Sequence, residues 1–266
     1  MKNRKKLLLL SLFLFFCINL EKAFSQEFKF EASEILISDD GSNLIAKDGV
    51  EINSDNGIQI TAESFEYNKE NLILLIEKNV EIFDPKNNLK IFGEKFIYDK
   101  NNEKIFSETN LTAILENKYN LNAKELNYFV LEKRITSNKE ILLTDNLNNK
   151  IESNNFEYLI TKKIFKVNEF VYTDKIGNKY LIDTAILDTD TNQLAGKDLE
   201  IIFNKKSFGN SNNDPRIKGN AIITEEDKSI ITKGVFTTCK KNDSCPPWEM
   251  SAEKIVHNKT KKTIPK

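Results

Sequence analysis

The thiols most able to do covalent chemistry are those of Cys239 and Cys245, in the segment Cys239-Lys-Lys-Asn-Asp-Ser-Cys245. An export leader, described below, would bring both into an oxidising compartment, where a disulfide is the ordinary fate of a cysteine. The sequence leaves the pairing open, because each thiol could bond to the other or to a cysteine outside this chain. The chemistry expected here is therefore a structural disulfide and not a catalytic step.

The acidic residues and the histidine do not form a catalytic pattern. Polysaccharide lyases and hydrolases built on long β-stacks need paired carboxylates, or a metal-binding acidic set. Glu225-Glu226-Asp227 is instead typical of a solvated turn. His257, the only histidine, precedes the short basic run Lys259–Lys262, which is expected to be a solvated tail. No catalytic residue, metal site or cofactor is therefore predicted.

The N-terminus has the layout of a secretory signal peptide. Four basic residues between Lys2 and Lys6 precede the apolar run Leu7–Leu20, and Ala23-Phe24-Ser25 offers a small-x-small cleavage site. The run is short of the roughly 20 residues that span a bilayer, which favours cleavage after Ser25 over an uncleaved anchor. The remaining chain is mildly acidic, so its charge gives no reason to bind nucleic acid.

A pattern of apolar and small residues recurs about every thirty residues, and the structural elements that it predicts would position any functional site. Each copy has an apolar residue, a small residue two positions later, an apolar residue five later and usually tyrosine seven later. The copies are Phe30-Ala32-Ile35-Ile37, Ile60-Ala62-Phe65-Tyr67, Ile91-Gly93-Phe96-Tyr98, Leu121-Ala123-Leu126-Tyr128, Ile151-Ser153-Phe156-Tyr158 and a degenerate Leu181-Asp183-Ile186-Asp188. A second apolar mark keeps the same period at Val50, Val80, Leu111, Ile141, Val171 and Ile201. Such a period predicts a stack of like units.

Each unit is predicted to hold two strands, because apolar and polar residues alternate around both marks. The signature steps by two, three and two positions, so a bulge or corner after the small residue would keep both halves on one face. Turn-forming clusters such as Ser54-Asp55-Asn56-Gly57 and Asp84-Pro85-Lys86-Asn87 separate the strands. The tyrosines are expected at strand ends with their hydroxyls in water. The fold predicted is all-β: an elongated jellyroll or taco-like stack of about six two-strand repeats.

The repeat stops after Ile201. Asn204–Arg216 is polar and is expected to be a loop, followed by a strand pair around Gly219–Ile223 and Ile230-Ile231. Val235–Trp248 includes Pro246-Pro247 and is not expected to be a central strand. The domain boundaries predicted are a leader at 1–25, a repeat domain at 26–235 and a cysteine-containing junction at 236–266.

The repeat, with its marks Gly49-Val50-Glu51-Ile52 and Gly219-Asn220-Ala221-Ile222, resembles the OstA-like domain of periplasmic lipopolysaccharide transport proteins. The junction Cys239–Trp248, followed by Ala252–Ile255, resembles that of the LptD branch, the outer-membrane lipopolysaccharide-assembly proteins. In that branch a transmembrane barrel follows, and this sequence ends at Lys266 before one begins. The resemblance implies that Cys239 or Cys245 pairs with a cysteine absent from this chain.

The resemblance implies a passive periplasmic conduit for lipopolysaccharide, localised to the periplasm or outer membrane. Acyl chains would lie in an apolar trough between the strands. Candidates to line it are Ile60, Phe65, Ile91, Phe96, Leu121, Leu126, Ile151 and Phe156. The partners implied are lipopolysaccharide, an LptA-like bridge protein paired edge to edge with this chain, and an outer-membrane lipoprotein if a barrel exists. No phosphate-binding glycine loop is present, so energy would come from another protein.

Three alternatives remain open. The chain could be a soluble LptA-like carrier, an exported polysaccharide-acting enzyme, or a structural or adhesive β-stack. From pattern alone, the inward apolar residues are better explained by a dry packed core than by a lipid trough, and only the resemblance favours the trough. An opening between the two walls is the feature that lipid carriage requires, and a sealed, tightly packed interior with no opening between the walls would rule it out.

Overall fold

The computed structural model describes residues 27–205, 212–225, 228–241 and 248–258. Across these ranges the protein is mainly antiparallel β-sheet, with a 3-10 turn at Ile160–Lys162, which confirms the all-β prediction. The predicted leader, Cys245, Pro246-Pro247 and the basic tail after Asn258 lie outside the described residues. The strands are β1 (Phe28–Ala32), β2 (Ile35–Ile37), β3 (Asn43–Ala46), β4 (Val50–Ser54), β5 (Gln59–Ala62), β6 (Ser64–Asn68), β7 (Ile73–Asp84), β8 (Leu89–Asp99), β9 (Lys104–Ser107), β10 (Leu111–Leu115), β11 (Tyr119–Ala123), β12 (Leu126–Phe129), β13 (Arg134–Ser137), β14 (Ile141–Asp145), β15 (Lys150–Ser153), β16 (Asn155–Leu159), β17 (Ile164–Thr173), β18 (Lys179–Asp188), β19 (Gln193–Ile202), β20 (Arg216–Thr224), β21 (Lys228–Thr237) and β22 (Met250–Asn258).

The strands form two facing walls. The first wall runs through β1, β4, β5, the second half of β7, the first half of β8, β10, β11, β14 and β15. The second wall runs through β2, β3, β6, the first half of β7, the second half of β8, β9, β12, β13 and β16. From β17 onward each strand contributes one half to each wall, and β17 to β22 pair in sequence order. The walls stack strand upon strand, at about 4.8 Å per strand, so the protein is long in that direction.

The chain crosses between the walls at a corner, which explains the uneven step of the signature. In the second copy Ala62 ends β5 in the first wall and Phe65 lies in β6 of the second wall. Both side chains are buried, so the extra residue turns the chain while keeping both halves on the inner face. In β7 the same corner is a register shift between Glu77 and Val80. The predicted corner is therefore present, and it defines one long side of the stack, here called the corner edge.

The corner edge is tightly packed at its C-terminal end. A β-carbon added to Gly219 would lie 2.4 Å from Cγ2 of Ile231, and one added to Gly234 would lie 2.4 Å from Cδ1 of Ile255. Real β-carbons do not approach other atoms that closely, so any larger residue at these two positions would force the neighbouring isoleucine to shift. The strands therefore pack closely against one another at this end of the corner edge.

Hairpin turns occupy the opposite long side, here called the turn edge. First-wall turns such as Asp55–Ile58 and second-wall turns such as Lys100–Glu103 meet there. Their polar residues accept or donate local bonds, as when Asp145 Oδ1 accepts the backbone N–H groups of Leu147 and Asn149. The two walls thus share backbone at the corner edge, and meet through turns at the turn edge.

One sequence expectation about the C-terminal region is wrong. Val235–Thr237 belongs to β21, which pairs with β20 on one side and β22 on the other, and is therefore a central strand. The expectation failed because the two prolines lie beyond this strand and remove none of its donors. β21 also runs through the predicted boundary at residue 235, and β22 continues both walls.

Candidate functional site

The eight candidate residues all face the space between the walls. Ile60, Ile91, Leu121 and Ile151 lie in the first wall, and Phe65, Phe96, Leu126 and Phe156 lie in the second. Their exposed fractions run from 0% for Ile91 to 6% for Ile151. The structure therefore brings the candidates together into one apolar interior that runs through consecutive repeats. Whether any of them contacts a ligand stays a prediction.

That interior is filled by protein side chains. Between the walls, the cavity bounded by Leu121, Ile151 and Phe156 has a volume of about 10 Å³. This is room for at most one water molecule, and not for an acyl chain. Aromatic rings occupy the space elsewhere, as where Tyr158 stacks on Phe165 with centroids 4.2 Å apart. The open furrow expected from the sequence is thus closed in the described part of the chain.

The signature tyrosines hold the turn edge closed, which corrects the expectation that their hydroxyls lie in water. Tyr98 and Tyr128 are 0% exposed and Tyr158 is 1% exposed. Each hydroxyl donates a hydrogen bond to a carboxylate: Tyr98 to Glu103, Tyr128 to Asp84 and Tyr158 to Glu116. Burying a tyrosine hydroxyl is favourable only with such a partner, so these bonds account for tyrosine at this position.

The cluster around Tyr98 shows how the two walls are joined. The side-chain amide of Asn56, in a first-wall turn, donates to the Tyr98 hydroxyl at 2.7 Å and to Glu103 Oε2 at 2.8 Å. Lys100 Nζ lies 2.5 Å from Asp55 Oδ1 in the same first-wall turn and also contacts Glu103. Three polar contacts therefore cross from one wall to the other in this repeat.

Equivalent contacts recur along the turn edge. Tyr67 donates to Glu27 at 2.9 Å, and Asn87 donates to the Tyr128 hydroxyl at 2.9 Å. In the degenerate sixth copy the tyrosine is replaced by Asp188, and Lys118 Nζ reaches the Thr189 carbonyl at 2.8 Å instead. We call these contacts the turn-edge latch. Its members are Tyr67 with Glu27, Tyr98 and Lys100 with Asp55, Asn56 and Glu103, Tyr128 with Asp84 and Asn87, Tyr158 with Glu116, and Lys118 with Thr189 and Asn192.

Electrostatics keep the latch intact at neutral pH. Burial, followed by the hydrogen bond to a carboxylate, raises the pKa of Tyr98, Tyr128 and Tyr158 well above the usual range of tyrosine. These hydroxyls therefore stay protonated and able to donate. Burial acts to lower the pKa of Lys100, but its bonds to Asp55 and Glu103 outweigh that effect and raise it, so the cation persists.

The two long edges are closed by different forces. Within the described ranges, the backbone hydrogen bonds between turns join turns of the same wall, as from Lys100 N to the Leu72 carbonyl and from Glu116 N to the Asn88 carbonyl. The contacts that cross the turn edge use side chains. At the corner edge, by contrast, the backbone itself passes from one wall to the other. The turn edge is thus the side along which the walls can separate without breaking a strand.

The larger surface grooves follow the corner edge. One groove of about 930 Å³ includes Phe92, Leu111 and Leu142, and a second of about 630 Å³ includes Leu181 and Val235. The charged residues lining the first are Glu94, Glu140, Glu152 and Glu169, with Lys124. Its excess of carboxylates makes this groove a poor site for an anionic lipid.

The other residues considered from the sequence do not join the interior site. Cys239 is half-buried, and its expected disulfide, whose partner the sequence leaves open, stays a prediction because Cys245 lies outside the described residues. His257 packs against the ring of Phe203, with centroids 5.1 Å apart. In the ranges that can be described, no group of three or more His, Cys, Asp or Glu side chains could hold a metal ion. No helix in those ranges has the length and apolar content to cross a membrane.

The latch was missed at the sequence level, although a signal for it exists. Tyrosine recurs seven positions after the first residue of the signature, although phenylalanine would fill the same inward-facing position equally well. Each latch tyrosine bonds a first-wall residue 40 to 44 positions earlier in the chain. A hydroxyl kept at a fixed period, with a polar residue at a fixed distance upstream, indicates a repeated bond between walls.

Comparisons with known proteins give a likeness among solved structures. No protein-family profile matches the chain, and no curated protein matches it. Among solved structures it is similar to LptH, described as the LptA-homologous periplasmic component of the conserved lipopolysaccharide transport device of Pseudomonas aeruginosa. The two are 9% identical with a TM-score of 0.24, over 53% of this chain and 81% of LptH. A likeness this weak carries no argument about function.

Proposed function

We propose that this protein is a periplasmic conduit that shields the acyl chains of lipopolysaccharide between its two walls. The observation that carries the proposal is an apolar interior, continuous through the repeats, whose walls share backbone along one edge only. The OstA-like repeat seen in the sequence supports the same function. The chain would act as a passive part of an outer-membrane lipopolysaccharide assembly or transport system, either of the LptD type or as a soluble LptA-like carrier.

The physical need for such a conduit follows from the cost of exposing hydrocarbon. Each methylene exposed to water costs about 0.8 kcal/mol, so one twelve-carbon chain costs on the order of 10 kcal/mol. Lipid chains are as apolar as the leucine and isoleucine side chains that they would replace as packing partners. Parting the walls around a lipid therefore exchanges one set of apolar contacts for another and mainly requires the latch to open.

The two ends of the stack support docking with a like domain. β22 pairs with β21, and β2 pairs with β3, so each end presents a strand edge with no further partner in the described structure. The rows of apolar side chains that face the interior become exposed at these ends: Ile37 is 61% exposed and Met250 is 56% exposed. A second stack added edge to edge would cover both strand edge and apolar row. An LptA-like bridge protein is the proposed partner.

The filled interior supports a second candidate, an exported structural or adhesive stack with a permanently dry core. A close-packed interior is what such a protein requires. The two functions differ in one measurable respect, since only a conduit lets lipid reach the inward side chains.

Photocrosslinking separates the two candidates. A photoreactive residue at Phe96 or Leu126, which face the interior, is expected to label lipid A. The same residue at Lys95 or Asn127, which lie on the corner or the outer face, is expected to give little label. Equal labelling of the two sets, or none at Phe96 and Leu126, would contradict the conduit and favour the structural stack.

A further inference from the structure

We propose that lipid passes between the walls at the turn edge, by displacing the turn-edge latch, while the corner edge stays shut. This inference rests on the proposed function and specifies which side of the molecule the ligand uses. Three features of the structure carry it: the covalent corner, the side-chain latch and the periodic spacing of the latch contacts.

The corner edge is unsuited to opening. Each corner is a backbone crossing, as between Ala62 and Ser64, so the walls cannot part there without breaking strands or their ladders. Close packing at Gly219 and Gly234 leaves no room for a lipid chain between the strands. The glutamates of the adjoining groove would also repel a phosphorylated head group.

The turn edge is closed by contacts that a lipid can replace. A hydrogen bond to a charged group makes only a modest net contribution to stability. The contact between Tyr128 and Asp84, or between Tyr158 and Glu116, is of this kind. Burying one acyl chain stabilises the complex by several times as much as one such contact, which exceeds the cost of releasing one or two of them.

The latch is divided into repeats, and this allows opening to be local. Tyr98, Tyr128 and Tyr158 each bond a different first-wall turn. Releasing one leaves the others in place, so a lipid can advance by parting the walls over one repeat at a time. A continuous backbone ladder across this edge would instead have to open as a unit.

The latch also places cations where the lipid head would lie. Lys100 has a 6% exposed side chain in the closed state, and its Nζ sits between Asp55 and Glu103. Opening the edge withdraws Asp55 with the first wall and turns the ammonium group toward water. An anionic sugar phosphate at the edge is the chemical class that this lysine would then meet.

Covalent stapling of one edge at a time tests the inference. In the full chain with its native cysteines replaced by serine, Asn56→Cys and Glu103→Cys are joined by a short, reducible thiol crosslinker. These side chains contact each other across the turn edge at 2.8 Å. The matched control staples Glu63→Cys to Asn79→Cys, which are in contact at the corner edge. Both proteins carry the photoreactive residue at Phe96 and are exposed to purified lipid A.

The turn-edge staple is expected to reduce labelling at Phe96 by about tenfold or more, because the open state is removed. Reduction of the crosslinker should restore labelling, and the corner staple should leave it unchanged. Labelling that survives the turn-edge staple, or falls equally with both staples, would overturn the inference but not the conduit. Absence of labelling in the unstapled protein would overturn the proposed function itself.

A second variant avoids dependence on the staple. Tyr128→Phe removes one latch bond while keeping the ring, and is expected to speed labelling at Phe96 by about fivefold or more. Tyr180→Phe is the control, because Tyr180 is equally buried but makes no cross-edge hydrogen bond in the described residues. Equal labelling rates in the two variants would overturn the inference.

Discussion

A single hydroxyl group distinguishes Tyr98, Tyr128 and Tyr158 from phenylalanines that would fill the same inward row. Each hydroxyl is buried and bonded to a carboxylate at the turn edge. A buried polar group left without its partner costs about 1–3 kcal/mol. The protein is therefore more stable when the walls are closed and these hydrogen bonds are made. The tyrosines therefore join the two walls through their hydroxyls and are not surface residues.

Removing one of these hydroxyls should destabilise the protein measurably. Tyr128→Phe leaves Asp84 and Asn87 without the phenolic partner they share, and is expected to lower the free energy of unfolding by about 1–3 kcal/mol. Urea denaturation followed by circular dichroism measures the change.

The matched substitution Tyr180→Phe sets the baseline for that measurement. It removes a hydroxyl from a side chain that is 2% exposed and is expected to change stability by less than about 0.5 kcal/mol. Equal losses in the two variants would show that the hydrogen bond to Asp84 contributes nothing specific.

At this scale the sequence showed which residues face inward but not what the tyrosines bind. The alternation around Ile60 and Phe96 is a local pattern, so it can be read without knowing the fold. The partner of Tyr98 is Asn56, 42 positions away in the other wall, and it becomes a neighbour only once the walls face each other. The alternating pattern alone favoured a filled interior, and the family resemblance led instead to the expectation of an open furrow, because alternation does not give the distance between the walls.

At the scale of elements, the bent strand is the unit of the fold. The two-three-two step of the signature predicted a corner, and the structure places it between β5 and β6 and within β7. The step was readable because a strand alternates faces with each residue, so one extra residue demands a bend. Pairing of β21 with β22 was not foreseen, since prolines outside the strand were taken to disrupt it.

The terminal strand β22 leads to a prediction about assembly. Met250 continues the inward row through Phe236 and is 56% exposed at the end of the stack. If a like domain docks there, Met250→Lys places a charge in the buried joint and should weaken head-to-tail association of the protein about tenfold or more. Sedimentation velocity over a concentration series measures the association.

Leu131→Lys is the control for assembly. Leu131 is 75% exposed but lies in a second-wall turn, away from either end of the stack. Weakening by both variants alike would indicate nonspecific apolar association. A wild-type chain that stays monomeric at every concentration would contradict end-to-end docking of this protein.

For the whole molecule, the structure is a stack joined covalently along the corner edge and by side chains along the turn edge. The walls enclose a dry apolar interior when the latch is closed. If the chain carries lipid, it must alternate between this closed state and one in which the turn edge has parted. The central claim of the proposed mechanism is this one-sided opening.

Distance measurement across the two edges tests that claim most directly. Spin labels at Asn117 and Thr191, exposed residues of facing turns beside the contact of Lys118 with Asn192, report on the turn edge. Labels at Lys124 and Glu140, which form an exposed ion pair, report on the corner edge. Addition of lipid A is predicted to shift the first distance distribution to longer values and leave the second unchanged. An unchanged turn-edge distance with lipid bound, or a widened corner edge, would contradict the account.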